Sequence, residues 1–417
     1  MSLRRPLHRA WLLCLGGALA LFAVMGLGVN VFSVFQPEIL RLNGFTDAQG
    51  SWITTVRSLF ILAALLCVNQ LCARFGFRLI MTSGVLLVSI SCICFAYAGS
   101  FFMYCAAAAL TGVGYCWAGM VPLSLAVGRW FRCRRGLALG LASAGSGVST
   151  VFAPVLLTRI MARFGMRTAF LWEGGVILLC ALLVWCLVRD DPAQLGLEPY
   201  CQEGPGAGQT APGRRKGAGL SRGQTALLLL AALFVGAAGG PGFSHLTMLY
   251  TSAGYDSLFI AGLLSYLGAM IGLGKVLCGQ VYDRLGWRGG NLFTFGLLLL
   301  SLALCCLAPA GGAVLPVLAI TAFGLGMSIT AVSPARWASD LCGPAGYESG
   351  VRTITVAFTA GMLVFGPVPG LLAGWLGSYV PAYALFLLLL AAAFALVHGL
   401  YRRSGPKGAD RASRTLR

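Results

Sequence analysis

Acidic residues are scarce: 12 Asp and Glu stand against 30 Lys and Arg in 417 residues, and charge of both signs reaches only 10%. A soluble globule carries roughly 25% charged residues, so a cytosolic enzyme and a disordered chain are both excluded. Histidine is scarcer still, at three. No two of the fifteen cysteines stand at CxxC spacing, and many sit inside apolar runs, such as Cys67, Cys92, Cys94, Cys180 and Cys305. A metal or redox role thus has no spacing to support it, the low charge rules out a secreted disulfide scaffold, and the cysteines read as small apolar packing residues. A nucleotide loop is also missing. The nearest approach to GxxxxGK[ST] has Ala269 where the first glycine belongs and Val276 where the hydroxyl belongs. No cofactor is expected.

What is abundant is apolar: 58% of residues are hydrophobic, and mean hydropathy is +0.84. Glycine, at 57, is about double the usual roughly 7%, and it lies within the apolar runs. Small residues let membrane helices approach closely where no hydrophobic effect draws them together. With roughly 20 apolar residues needed to cross a bilayer, the sequence predicts twelve spans: about 11–33, 51–71, 79–98, 101–128, 136–157, 167–188, 224–248, 257–280, 291–308, 313–333, 350–374 and 379–401. The first follows Arg4, Arg5 and Arg9 as a signal peptide would, but it exceeds the 7–15 residues of a signal core and reads as a retained helix.

Twelve spans place both termini on one side of the membrane. That side collects 23 Lys and Arg; the other has Arg41, Arg159, Arg163 and Arg167, and only Arg57, Lys275 and Arg352 lie within spans. Positive residues concentrate in the cytoplasm, so both termini are expected there, in the plasma membrane. The net charge of +18 is then a topology signal, and no nucleic-acid partner is expected. A Gly- and Pro-rich stretch, 189–223, reads as a linker. The expected organisation is an N-terminal six-helix bundle (1–188), a cytoplasmic linker (189–223), a C-terminal six-helix bundle (224–403) and a tail (404–417).

The halves echo each other. Asn69–Arg78 (NQLCARFGFR) matches Gly279–Arg288 (GQVYDRLGWR) at an offset of 210, Gly112 and Gly114 match Gly324 and Gly326 at 212, Arg129-Trp130 matches Arg336-Trp337 at 207, and Ala153-Pro154 matches Gly366-Pro367 at 213. A parallel repeat of six helices with substrate bound near the midplane is a secondary-transporter pattern. Gly279, Asp283, Arg284, Gly286 and Arg288 resemble the signature loop of the major facilitator superfamily, GxxxDRxGxR. Ala73 and Asn69 depart from it in the first-half copy. The stretch 128–149 (GRWFRCRRGLALGLASAGSGVS) and the linker start RDDPAQLGLEPY are similar to segments of the oxalate/formate antiporter and monocarboxylate porter families. The resemblance implies an all-α membrane fold of two pseudo-symmetric six-helix bundles. It also implies a cytoplasmic gate formed by the signature loop, with which Asp340 is grouped.

Charges within spans point to function because each costs roughly 2.5–3.5 kcal/mol to insert. Arg57, six residues inside the second span, either snorkels outward or lines an outward vestibule, in a helix that forms the cavity in the resembled superfamily. Lys275, eight residues before Asp283, sits where resembling families commonly hold an arginine that meets an anionic substrate. A lysine keeps the charge but not the bidentate fork. Arg352, four residues after Glu348, has the spacing of a local ion pair or serves as an inner cationic gate. Glu173, on the sixth span, is either interfacial or a site of proton coupling. Tyr115 is the candidate aromatic contact, and Asn30, Trp117, His245 and Tyr250 fill out a candidate pocket. Pro122, Pro154 and Pro367 are expected to mark bends.

The reading is a secondary transporter, not an enzyme. It moves a small organic anion, best a monocarboxylate, with protons or a counter-transported anion as partners and the lipid bilayer as solvent. A dianion such as oxalate would want a second central cation. A drug or cation exporter would want an acid in the central helices, and a membrane enzyme would want clustered His, Asp or Cys. A transport-inactive sensor is the remaining alternative.

Overall fold

The computed structural model describes residues 9–131, 135–200 and 220–404. Among them every regular element is a helix, and the one extended pairing is an isolated bridge between Phe131 and Tyr200. The helices are α1 (Ala10–Asn43), α2 (Asp47–Phe75), α3 (Phe77–Tyr97), α4 (Phe101–Trp130), α5 (Arg135–Phe164), α6 (Met166–Leu187) and α7 (Arg222–Ser244). A short helix, Leu246–Ser252, precedes a 50-residue helical run, Ser257–Cys306.

That run would be about 75 Å long if straight, more than twice a ~30 Å hydrocarbon core. It is not straight. Gly286 has φ 66° and ψ −165°, outside helical geometry. The Tyr282 hydroxyl donates to Asn291 Oδ1 at 2.6 Å, although nine residues of straight helix would separate them by about 13 Å. The chain therefore turns back at Gly286, giving α8 (257–285) and α9 (287–306). Then follow α10 (Val314–Gly326, succeeded by Ile329–Trp337), α11 (Ser349–Leu376) and α12 (Val380–Ser404). Ten helices, counting Ser257–Cys306 once, are long and apolar enough to cross a membrane among the described residues. Separating α8 from α9 and adding the shorter α10 gives twelve segments, so the fold is an all-helical membrane protein.

The repeat read in the sequence recurs in the packing. Ser91 Oγ donates to the Ala107 carbonyl at 2.8 Å between α3 and α4; Ser301 Oγ donates to the Ala319 carbonyl at 2.7 Å between α9 and α10. A side chain on Gly112 would strike the backbone of α2 at Arg57, and one on Gly324 would strike α8 at Met270. Sharp turns repeat too: Gly76 (φ 84°, ψ 162°) joins α2 to α3 as Gly286 joins α8 to α9. Backbone in this region is essentially restricted to glycine.

Contacts divide the chain into two units, Met1–Gly208 with Leu246–Ala269, and Gln209–His245 with Met270–Arg417. In the first, α1 packs on α5, α2 on α4, and α3 on both α4 and α6; in the second, α7 packs on α11 and α12. Of the boundaries that differ from the hydropathy reading, two have a local polar cause. α1 runs ten residues past the expected 33, because Glu38 and Arg41 neutralise each other one turn apart (2.6 Å). α2 begins four residues early, because Thr46 and Gln49 form a capping box. α1 also contains a π-helical stretch, Phe22–Val31.

Candidate functional site

The capping box fixes where Arg57 falls. Counted from Asp47, it lies ten residues into α2, about 15 Å along the axis, deeper than the six residues read from the apolar run. It is 6% exposed, so the guanidinium does not reach outward as the snorkelling reading required. The polar residues around it on α2 look after themselves. Thr54 and Thr55 both donate to the Ser51 carbonyl (2.9 and 2.8 Å), and Ser58 donates to the Thr54 carbonyl. No carboxylate pairs with Arg57 among the described residues. Its guanidinium carbon lies 5.3 Å from the centre of the Phe32 ring on α1.

Phe32 is held by an aromatic cluster. It packs on Phe95 at 5.1 Å, Phe95 stacks on Phe170, and Phe170 stacks on Phe35 at 3.9 Å. The glycine contact between α4 and α2 at Arg57 sets Tyr115, three residues after Gly112, toward the same neighbour. The Tyr115 phenol interacts electrostatically with Arg57. Asn30, in the π-helical stretch of α1, donates to Thr150 Oγ1 on α5 at 3.1 Å. An immersed cation, an aromatic face and a phenol thus meet at one level of the first unit. Such a site favours an anion, because charge in a low-dielectric setting lacks the water that would screen it.

Glu173 is 4% exposed on α6. Its carboxyl lies beside the Cys92 thiol of α3, at a seam where Ser89 Oγ donates to the Gly174 carbonyl (2.9 Å). Lys275, in the second unit, is partly buried and has no carboxylate partner among the described residues. It stands eleven residues before Gly286, about 16 Å from the turn, whereas Arg57 stands nineteen before Gly76, about 28 Å away. The two cations therefore occupy different levels of repeat-equivalent helices. Arg352 is exposed, and the side chain of Glu348, its expected partner, lies outside the described residues. His245 does not open into a pocket. It is fully buried, with Nδ1 3.0 Å from the Pro241 carbonyl and its ring 6.2 Å from Tyr379.

The signature loop makes its main contact with a residue that the sequence flagged only as a repeat match. Asp283 forms an ion pair with Arg336, which follows α10. The flanking residues, Tyr282 and Trp337, both donate to Asn291 Oδ1, at 2.6 and 3.1 Å. One buried amide oxygen thus anchors both sides of the pair. Gly286 provides the turn; Gly279 has open space above its Cα; Arg284 and Arg288 are exposed, with Arg288 5.3 Å from the centre of the Trp287 ring. Asp340 accepts the Tyr401 hydroxyl at 3.0 Å, and Tyr401 stacks on Trp287 at 4.5 Å. Asp340 keeps an exposed edge, yet partial burial raises its carboxyl above the ordinary aspartate range, against the Tyr401 bond and the Arg336 charge. In the first unit, where Ala73 replaces the acid, Asp190 takes over the turn, accepting the Arg78 backbone N–H at 2.8 Å.

The sequence model described as Major Facilitator Superfamily matches residues 18–357. Among similar proteins, "MFS-type transporter pytF" of Aspergillus terreus is 26% identical over 67% of this chain and 90% of its own length. Bovine "Monocarboxylate transporter 13" is 26% identical over 93% and 87%. Rat "Monocarboxylate transporter 4" is 31% identical, over 42% of this chain and 37% of that one. Among solved structures, a bacterial homologue of the lysosomal transporter Spinster, inward-facing and unoccupied, aligns with a TM-score of 0.71 over 97% of this chain and 100% of that one, at 18% identity. The nucleoside transporter NupG aligns at 0.72 over 94% and 100%, with 10% identity.

Proposed function

The chain belongs to the Major Facilitator Superfamily, and on that premise we propose that it is a secondary transporter of a small organic anion, with a monocarboxylate the best-fitting cargo. The observation that carries this reading is Arg57: a guanidinium 6% exposed within a membrane-spanning helix, with no acid beside it among the described residues. A cation held in a span at a cost of roughly 2.5–3.5 kcal/mol is explained if an arriving carboxylate neutralises it. Phe32 and Tyr115 supply an apolar and a hydroxyl contact for the rest of a small acid. Lys275 and Arg352 are further cationic candidates, each in the second unit.

Transport proceeds by alternating access, as the family resemblance implies. The Asp283–Arg336 pair, with Gly279, Arg284, Gly286, Arg288 and Asp340 around it, latches the cytoplasmic side. Both termini face the cytoplasm of the cell, as the 23-to-4 bias of Lys and Arg favours. Protons or an exchanged anion drive it. Glu173 is the proton-site candidate by burial, though its seat between α3 and α6 favours a structural role.

The drug-exporter alternative calls for an acid to meet a cationic cargo, and Arg57 stands against it. The test is thermal unfolding of the purified protein against a panel of monocarboxylates, dicarboxylates and organic amines. Stabilisation by monocarboxylates supports the reading; stabilisation by amines alone overturns it.

A further inference from the structure

At the charged end of the first unit, two guanidinium groups converge on one carbonyl. Arg78 Nε and an Arg189 terminal nitrogen each donate to the Trp185 carbonyl at 2.9 Å, so the two donor nitrogens lie within about 6 Å of each other. Arg9 adds a third positive charge nearby, and burial first, then repulsion from Arg78 and Arg9, holds Arg189 below its ordinary range against the attraction of Asp190. The Asp190 carboxylate accepts from the Arg78 backbone instead, and no acid pairs with either guanidinium among the described residues. The carbonyl end of α6 eases this crowding only in part. Arg189 also donates to the Val188 carbonyl at 3.0 Å, and among the described residues most of the remaining donors on both groups have no partner.

Directly below, a groove runs along the seam of α3 and α6, lined by Leu79, Thr82, Leu86, Leu182 and Trp185 among others. Leu79, Leu182 and Trp185 are 47%, 58% and 41% exposed, so it opens on the outer flank of the unit. Arg78 lies flat over the Trp185 ring, 3.8 Å from its centre, which holds the charge at the groove's rim. Thr82, one turn beyond Arg78, is 7% exposed, and its hydroxyl has no partner. The repeat-equivalent seam is closed: Trp287 stacks on Tyr401 at 4.5 Å and lies tilted against His398 at 5.5 Å.

We propose that this seam binds one anionic phospholipid, its phosphate held between Arg78 and Arg189 and an acyl chain along Leu79, Leu86 and Leu182. The pairing of a cation cluster that outnumbers its one neighbouring acid, Asp190, with an apolar groove on a bilayer-facing flank selects a lipid over a soluble anion.

The test is native mass spectrometry of the delipidated, detergent-solubilised full chain, titrated with phosphatidylglycerol or with phosphatidylcholine of the same acyl length. The expected result is a one-to-one adduct retained for phosphatidylglycerol in preference to phosphatidylcholine. Arg78→Gln and Arg189→Gln should each weaken it roughly fivefold, the share of one basic side chain near an anionic surface. Arg288→Gln, at the closed seam, should leave it unchanged, and Leu182→Trp should remove it with both charges intact. Should a glutamine variant fail to fold, the Arg78→Lys, Arg189→Lys double variant keeps the charge and should keep the preference. Equal retention of the two lipids, or equal loss in Arg78→Gln and Arg288→Gln, overturns the proposal. So does an equal thermal shift from inorganic phosphate, which would mark a soluble-anion site.

Discussion

Replacing Arg57 by methionine separates a substrate contact from a structural cation, because the two roles move stability in opposite directions. Burial at 6% exposure without an acid partner means that the charge is a liability in the empty protein. Its removal relieves up to ~2.5–3.5 kcal/mol of insertion cost, less roughly 1–2 kcal/mol for the lost contact with the Phe32 ring. Methionine fills similar space, so the variant without ligand should be more stable by roughly 1–2 kcal/mol. Binding moves the other way. A charge-assisted hydrogen bond to a carboxylate contributes about 1.5–3 kcal/mol, so affinity should fall roughly ten- to a hundredfold. Thermal unfolding with and without a stabilising carboxylate reads both effects in one experiment. A variant less stable than the parent, with its carboxylate response intact, would refute the reasoning and make Arg57 a structural residue.

Three further outcomes follow. Lys275→Ala should sharply reduce anion uptake in proteoliposomes while the protein elutes as a folded species, because Lys275 has no carboxylate partner to orphan; undiminished uptake removes it from the pathway. Gly286→Ala should cost roughly 1–3 kcal/mol for its φ of 66°. Gly76→Ala should cost more in the same unfolding assay, since a methyl there also meets the Asp190 carboxylate at 2.6 Å; equal losses would contradict the assignment of Asp190 to that turn. Asn291→Ala leaves Trp337 Nε1 without its acceptor, while Tyr282 keeps Ser333 at 3.2 Å. The expected destabilisation is therefore about 1–3 kcal/mol, checked by thermal melting, and a neutral variant would show that the amide does not anchor the latch.

Hydropathy alone locates the helices, since a bilayer demands length and apolarity and little else. It fails where polar residues satisfy one another. The Glu38–Arg41 pair hides the last ten residues of α1, and the Thr46–Gln49 box hides the first turn of α2. The π-helical stretch 22–31 has no periodic signature to read. Gly286 is legible as a motif residue, but only its backbone shows that it carries the chain back on itself as Gly76 does. At the candidate site, Arg57, Tyr115 and Lys275 stand out as polar residues in apolar runs. Phe32 does not, being one phenylalanine among 24, and only the fold brings it under the guanidinium. Arg336 and Trp337 carried a usable signal, the match to Arg129-Trp130. Their partners Asp283 and Asn291 are far along the chain, and no spacing rule reaches that distance. Tyr401, which holds Asp340, gave no signal at all.

The central claim, that the chain carries a small organic anion, is tested most directly by counterflow. Proteoliposomes loaded with an unlabelled monocarboxylate should accumulate the labelled acid from outside, and Arg57→Met should abolish that accumulation. Flux of an organic cation instead, or monocarboxylate counterflow that Arg57→Met leaves intact, would contradict the account.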